Sequence, residues 1–536
     1  MLPKRVLFLL LFVFLSFSCA KRGNPTGGYK DTIPPIMVNA SPKNETTFFK
    51  SKKIIITFDE YIKLKDLNQQ LIISPPIETD EYTVEPQSAI SKKIKIEFSD
   101  SLNLAQETTY TFNFGSSIQD NNEENILPFF SYTLSTGSII DSLFIRGKVS
   151  DAFDDQSESF VSLYLYPIDS TYKDSTVYLK KPLYATSTLD TVLYHFQNLR
   201  KDNYKLIALK DYGKNYLYDQ GVDKIGFIDQ VVSLPGDTLY NFRIFKEKTR
   251  FFWDPPKYVN DHHIIFGYYG VPEDNPIELI TPVPSGFKTF ITQERGRDSL
   301  NFWFPEIEAD SLQFALKTKD STYSLSVKFY KPELDSLVVL SEQNGGIDLN
   351  DTLRFNSSLP ITELNKEFIT IRNNDSISLP FDLILDKNKD FIQVYFDLEP
   401  NDKYSVSILP NAFKDFWGGT NDTINLSLPT KSFDSYGEIT LRLNWEIKEQ
   451  DFILELLNLK NEVIRRKLKE NDLKKYTFKL LNPKNYKARI ILDDNNNGKW
   501  DTGSYLKNIQ PERVIYFSDT IELRANWEMN EIFILK

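Results

Sequence analysis

Short runs in which apolar and polar side chains alternate recur from Ile36 nearly to the C-terminus, and they constrain the fold more than any other feature of the chain. "KKIIITFDEYI", "KKIKIEFSD", "TYTFNFGSS", "FVSLYLYPI", "YSLSVKFY", "FIQVYFDL", "YSVSIL" and "EITLRLNWEI" are examples. A period of two puts every second side chain on one face, which suits a strand with one buried side and does not suit a helix. Asn, Asp, Gly or Pro bounds most of these runs, as expected where strands turn. Only "LKDLNQQLII" and "FILELLNLKNEVIRRKLKEN" admit helical turns, and the second equally suits two strands joined by "NLKN". The expected fold class is all-β. At 536 residues the chain exceeds what one core supports, so several domains of roughly 80 to 130 residues are expected. Forty Phe and 28 Tyr are ample for several cores and too many for a disordered chain.

The chain repeats itself. "YKLIALKDYGKNYLYDQG", Tyr204 to Gly221, aligns without a gap with "YKARIILDDNNNGKWDTG", Tyr486 to Gly503, at a constant offset of 282. Tyr204 and Tyr486, Asp211 and Asp493, Asn215 and Asn497, Asp219 and Asp501, and Gly221 and Gly503 coincide. The segments before them correspond more loosely: a strand with Phe58 or Phe355, a Tyr-led strand at Tyr110 or Tyr404, then a turn with Asp120 or Asp415. A tandem pair of modules therefore occurs twice, with a divergent block between the copies. The expected product is an elongated tandem array of β-sandwiches.

The N-terminus carries a different signal. In "MLPKRVLFLLLFVFLSFSC", Lys4 and Arg5 precede an apolar stretch from Val6 to Leu15, and Ser18 stands before Cys19, the only cysteine. One cysteine excludes a disulfide framework. The apolar stretch is too short for a permanent membrane span and reads as a cleaved secretory signal. It resembles a bacterial lipoprotein signal, with Ser16 where leucine is usual, and that resemblance implies acylation of Cys19 and stable anchoring by multiple chains. "AKRGNPTGGYKDTIPP" follows as a tether without periodicity.

"CAKRGNPTGGYKDTIPP" followed by "ASPKNETTFFKSKKIIITFDEYIKL" resembles the start of Ig-like lipoproteins of Bacteroidota, whose first module is a bacterial Ig-like domain of the S-layer type. The "Y-x-x-x-x-x-x-D-x-N-x-N-G-x-x-D" stretch resembles the hairpin of transthyretin-like or Cna-B-like sandwiches. The resemblance implies a signal peptide over 1–18, a tether over 19–33, an Ig-like domain over 34–137 and a transthyretin-like sandwich over 138–245. A divergent β domain over 246–337, a second Ig-like domain over 338–433 and a second transthyretin-like sandwich over 434–536 complete the series.

Candidate sites are few. In "ILDDNNNGKWDTGSY", Asp493, Asn495, Asn497 and Asp501 fall at alternating positions around Gly498, the spacing of a calcium loop, with Ser504 where a bidentate Glu would close it. The same residues suit a polar turn in which Asn and Asp bond their own backbone. A structural Ca²⁺ is the only cofactor expectation, and none is required. The sister loop has Gly213 and Tyr216 in place of Asn495 and Gly498. Three histidines, His195, His262 and His263, with no Gly-x-Ser-x-Gly, give no triad, and "NDHH" lacks the further aspartate motifs of a phosphoesterase. Trp253, Phe416 and Trp417 stand beside Pro or Gly and suit either an interface or packing at a domain junction. "LRLNWE" and "LRANWE" suggest that the first and last strands of the final domain pair, with Trp445 on Trp527.

A net charge of −11 with mixed signs leaves no basic stripe for nucleic acid. The expectation is a non-catalytic, lipid-anchored outer-membrane protein that binds or scaffolds, with an outer-membrane β-barrel complex as partner. A surface polysaccharide-binding lipoprotein is the alternative reading, and a glycoside hydrolase with paired carboxylates the third.

Overall fold

The computed structural model describes residues 30–260, 262–272, 276–330, 336–446, 450–470 and 474–536. Cys19, the signal segment and Asp261 of "NDHH" lie outside them. Among the described residues nearly every ordered element is a strand. The exceptions are one short helix, Leu67–Gln70, within "LKDLNQQLII", and three 3₁₀ turns. The ambiguous run near the C-terminus forms two antiparallel strands, Phe452–Leu457 and Val463–Leu468.

Five successive bodies each bury an apolar core. In the first, Lys53–Leu64 pairs with Met37–Ser41 and Ser91–Phe98, while Thr109–Asn113 runs between Ile72–Ser74 and Ser131–Ser135. Alternation sends Ile54, Ile56 and Phe58 of one sheet against Phe112, Tyr132 and Leu134 of the other.

The second unit is a single sheet in the order Tyr184–Ser187, Ser162–Pro167, Asn203–Lys210, Lys224–Phe227, Phe242–Lys246, Leu143–Asp151, Leu193–Leu199. Its end strands approach one another, and the Thr186 hydroxyl donates to the His195 carbonyl across the gap at 3.1 Å. Both faces are apolar as a result: Leu163, Leu165, Leu206 and Ala208 fill the inside, and Tyr164, Tyr166, Ile207 and Leu209 lie outside under a second apolar layer.

The third unit packs the sheet containing His263–Tyr269 and Ser299–Trp303 on that containing Ser311–Lys317 and Thr322–Lys328. The fourth is centred on Phe355, Ile392, Tyr404 and Phe413. In the fifth, Gly437–Trp445 lies between Lys475–Leu481 and the last strand, Glu528–Leu535. First and last strands do pair, but the tryptophan contact expected between them is absent. The pair is parallel and sets Trp445 opposite Leu535, whereas Trp527 precedes Glu528 at the other end. Trp445 packs on Phe452 at 5.5 Å, and Trp527 lies under the Arg524 guanidinium at 5.1 Å.

The β-sandwiches form a tandem array, as expected, and later units of the array pack back on earlier ones. The fourth unit joins the fifth where Asp348 accepts hydrogen bonds from Lys431, Tyr436 and Asn482. The fifth then packs back on the second: Trp500 meets Phe153 at 4.8 Å, Lys487 pairs with Asp155 at 2.6 Å, and the Tyr516 hydroxyl donates to the Phe153 carbonyl at 3.0 Å. Units two to five thus close into a ring, and the first unit projects from the second.

Candidate functional site

The two sister loops fold alike. Asp211 accepts the amides of Asn215 and Tyr216 at 3.3 and 2.9 Å, and Asp493 accepts those of Asn497 and Gly498 at 3.0 and 2.8 Å. A carboxylate that takes the amides four and five residues on winds the chain into a tight turn, which is why Asp recurs at this position. The Asn215 amide then donates to Asp219, and the Asn495 and Asn497 amides donate to Asp501.

All four residues of the calcium expectation therefore meet in one loop, with their polar atoms directed at hydrogen-bond partners. Asp501 also receives the Lys248 ammonium at 2.7 Å. The Lys248 hydrogen bond, the two asparagine amides and the Lys248 charge hold its carboxyl at about 2. Calcium needs six to eight oxygens turned toward one centre. In this loop those oxygens face N–H groups.

Glu512 and Glu247 were not singled out by sequence. Glu512 accepts the amides of Asp494 and Asp501 at 2.9 and 2.8 Å, and burial pushes its carboxyl up. Glu247 accepts the Tyr218 hydroxyl and, from the fifth unit, the Tyr505 amide, both at 2.7 Å. Tyr505 enters the outer apolar layer of the second unit beside Phe227 and Tyr178. No local pattern announces either glutamate: Glu512 reaches back 18 and 11 residues to its partners, and Glu247 meets Tyr505 across 258 residues.

Trp253, Phe416 and Trp417 each pack against other parts of this chain. Trp253 is 8% exposed in the core of the third unit, and its indole N–H donates to the Lys317 carbonyl at 3.1 Å. Trp417 packs on His262 and Trp303 and donates to the Phe304 carbonyl, while Phe416 meets Phe290 at 4.8 Å. The turn that carries both is wound by Asp415, which accepts the Trp417 and Gly419 amides. Burying these rings against the third unit removes more apolar surface from water than leaving them at a free face, so the interface they make lies within the chain.

His263 stacks on Trp303 at 3.9 Å, and His195 is an exposed strand residue whose pKa is lowered by burial and by the charge of Arg146. Among the described residues, no group of three or more His, Cys, Asp or Glu side chains is placed to hold a metal ion.

The open apolar surface lies elsewhere. A cleft of about 930 Å³ separates the first and second units. It is lined by Phe129, Phe144, Leu193 and Leu239, each 41–63% exposed, together with Arg146 and His195. Three strands that end their sheets contribute to its walls: Ile72–Ser74, Tyr184–Ser187 and Leu193–Leu199. Gly147 forms part of the wall because only hydrogen fits there. A Cβ would stand 1.7 Å from the Tyr240 carbonyl oxygen, which also accepts the Tyr194 hydroxyl at 2.8 Å. Apart from His195, no residue in this cleft was singled out by sequence, since isolated exposed apolar residues are ordinary and only folding gathers them.

Residues 31–136 match the bacterial Ig-like domain family, which covers the first unit. No curated protein matches the chain. Among solved structures, a fragment of titin has 12% identity over 52% of this chain and 97% of its own, with a TM-score of 0.15. The major pilin subunit of Bacillus cereus has 9% identity over 73% and 98%, with a TM-score of 0.14. Domains 1–6 of the surface layer protein SbsC have 8% identity over 92% and 68%, with a TM-score of 0.15.

Proposed function

We propose that this is a lipid-anchored cell-envelope protein that binds or scaffolds a partner at the outer membrane and catalyses no reaction, as an accessory subunit of a β-barrel complex. Acylated Cys19 would hold one end on the membrane, and the bacterial Ig-like unit next to it would face the partner. The observation that carries this reading is the cleft between the first two units, where Phe129, Phe144, Leu193 and Leu239 stay exposed. Soluble chains rarely leave so many large apolar side chains facing one space unless something covers them. The second and fifth units, with their sister hairpins, are read as transthyretin-like modules whose work is to close and stiffen the frame.

The test is to purify the tagged full-length protein from envelope in mild detergent, with Cys19→Ala and Leu193→Asp as controls. A stoichiometric barrel protein recovered with the wild type and lost in both controls is the expected result. Recovery of none from the wild type would end the scaffold reading.

The alternative, a polysaccharide-binding lipoprotein, draws on a different surface. Phe252 and Tyr269 stack at 4.5 Å and 19° and are 46% and 43% exposed. Loss of glycan-array binding in Phe252→Ala would favour it.

A further inference from the structure

We infer that the cleft and the strand beside it receive an extended, acidic and apolar segment of a partner protein. This rests on the binding role proposed above and names the chemistry that role requires.

The strand Leu143–Asp151 decides the shape of the occupant. Its outward residues are Phe144, Arg146, Lys148 and Ser150, in strict alternation with the buried Ile145, Gly147 and Val149. At about 3.3 Å per residue, Phe144 to Ser150 forms a track roughly 20 Å long. The cleft covers the first part of that track. A second depression of about 650 Å³ shares Lys148 and Asn241 with the cleft and continues past Ser150 to Arg243. Two connected hollows along one strand fit a chain laid lengthwise better than a compact molecule.

Charge decides the sign. The protein carries a net −11, yet this track holds Arg146 and Lys148, both exposed and neither in an ion pair among the described residues. The field is felt locally, since Arg146 helps to lower the pKa of His195. The cleft itself is lined by Arg146 and Lys148 and by no Asp or Glu, the one carboxylate of the two hollows being Asp229 in the second, so on a chain of net negative charge the cleft complements carboxylates alternating with large apolar side chains.

The side chains decide between protein and sugar. Sugar platforms favour the flat faces of exposed Trp and Tyr, whose polar edges also hydrogen-bond the sugar hydroxyls, over Phe129 and Phe144, which offer none. The cleft contains no tryptophan, and its one tyrosine, Tyr194, is 3% exposed with its hydroxyl committed to Tyr240. Leu193 and Leu239, each 63% exposed, suit the side chains of a peptide.

The test uses the full mature chain and two labelled ten-residue peptides, one alternating Phe with Glu and the other alternating Phe with Lys, followed by fluorescence anisotropy. The Glu peptide is expected to bind at least 10-fold more tightly than the Lys peptide. Arg146→Ala with Lys148→Ala should remove most of that preference, and Leu193→Asp should weaken the Glu peptide at least 10-fold, each with an unchanged circular dichroism spectrum. Equal binding of the two peptides, binding of neither, or stronger binding of an oligouronate than of the Glu peptide would overturn the inference. The envelope purification separates the two levels. If a barrel partner is recovered by the wild type and equally by Arg146→Glu with Lys148→Glu, the acidic-segment inference fails while the scaffold role stands. If the wild type recovers none, the role itself fails.

Discussion

Tyr505 belongs by sequence to the fifth unit and by packing to the second. It is 3% exposed, lies 5.3 Å from Phe227, and its amide is held by Glu247. Tyr505→Ala should cost about 3–5 kcal/mol, the range for emptying a buried aromatic site, as measured by urea unfolding. Tyr505→Phe should cost about 1 kcal/mol or less, because the hydroxyl makes only a long contact with Tyr172 at 3.4 Å. Asp501 ties the same junction electrostatically. Its folded pKa of about 2 lies below the ordinary 3.8, so its contribution is complete above about pH 4 and is lost as the pH falls through 2. Unfolding midpoints measured from pH 5 to pH 2 should show that loss in the wild type and lack that component in Asp501→Asn.

At the scale of elements, the alternation in the sequence was enough to read the strands, and the gapless match at 282 residues was enough to pair the two hairpin loops. The side chains that cover those loops were not legible. "TYTF" at Thr109–Phe112 reads as a one-sided strand, yet all four residues are buried because the second unit lies over the outer face. The repeated "LRLNWE" and "LRANWE" suggested that the first and last strands pair, which they do, but "LRANWE" is a turn that leads into the last strand at Glu528, so Trp527 lies outside the ladder and does not meet Trp445. The loop at Asp493 shows the same boundary between local and distant information. Its Asp and Asn spacing fits both a calcium loop and an amide-bonded turn, and Lys248, which occupies Asp501, comes from a different part of the chain. An ion entering that loop must displace the ammonium and the amides of Asn497 and Gly498. Addition of 5 mM calcium should therefore move the melting temperature by less than about 1 °C, whereas in Lys248→Ala, with the competing cation gone, the same addition should raise it by a few degrees.

For the whole molecule, ring closure follows from how the junctions divide the work. Neighbouring units are joined by chain, so a contact between the second and fifth acts within one molecule at a high effective concentration and does not need the area of an independent complex. A few well-placed groups suffice: the Trp500 ring on Phe153, the Arg489 guanidinium 4.2 Å from the same ring, Lys487 on Asp155, and Tyr505 in the neighbouring core. The first unit takes no part in closure, but the second unit's sheet, which forms one wall of the cleft, does. Closure then has a measurable consequence for both shape and binding. Trp500→Glu with Tyr505→Glu should open the ring, raising the radius of gyration in solution scattering by several ångströms while the circular dichroism of the strands persists. Because Leu143–Asp151 is braced by Phe242–Lys246, whose next residue Glu247 holds the Tyr505 amide, opening should also weaken the Glu peptide several-fold. An unchanged radius would mean that the remaining contacts hold the fifth unit in place, and an opened ring with unchanged peptide affinity would mean that the cleft is built by the first two units alone.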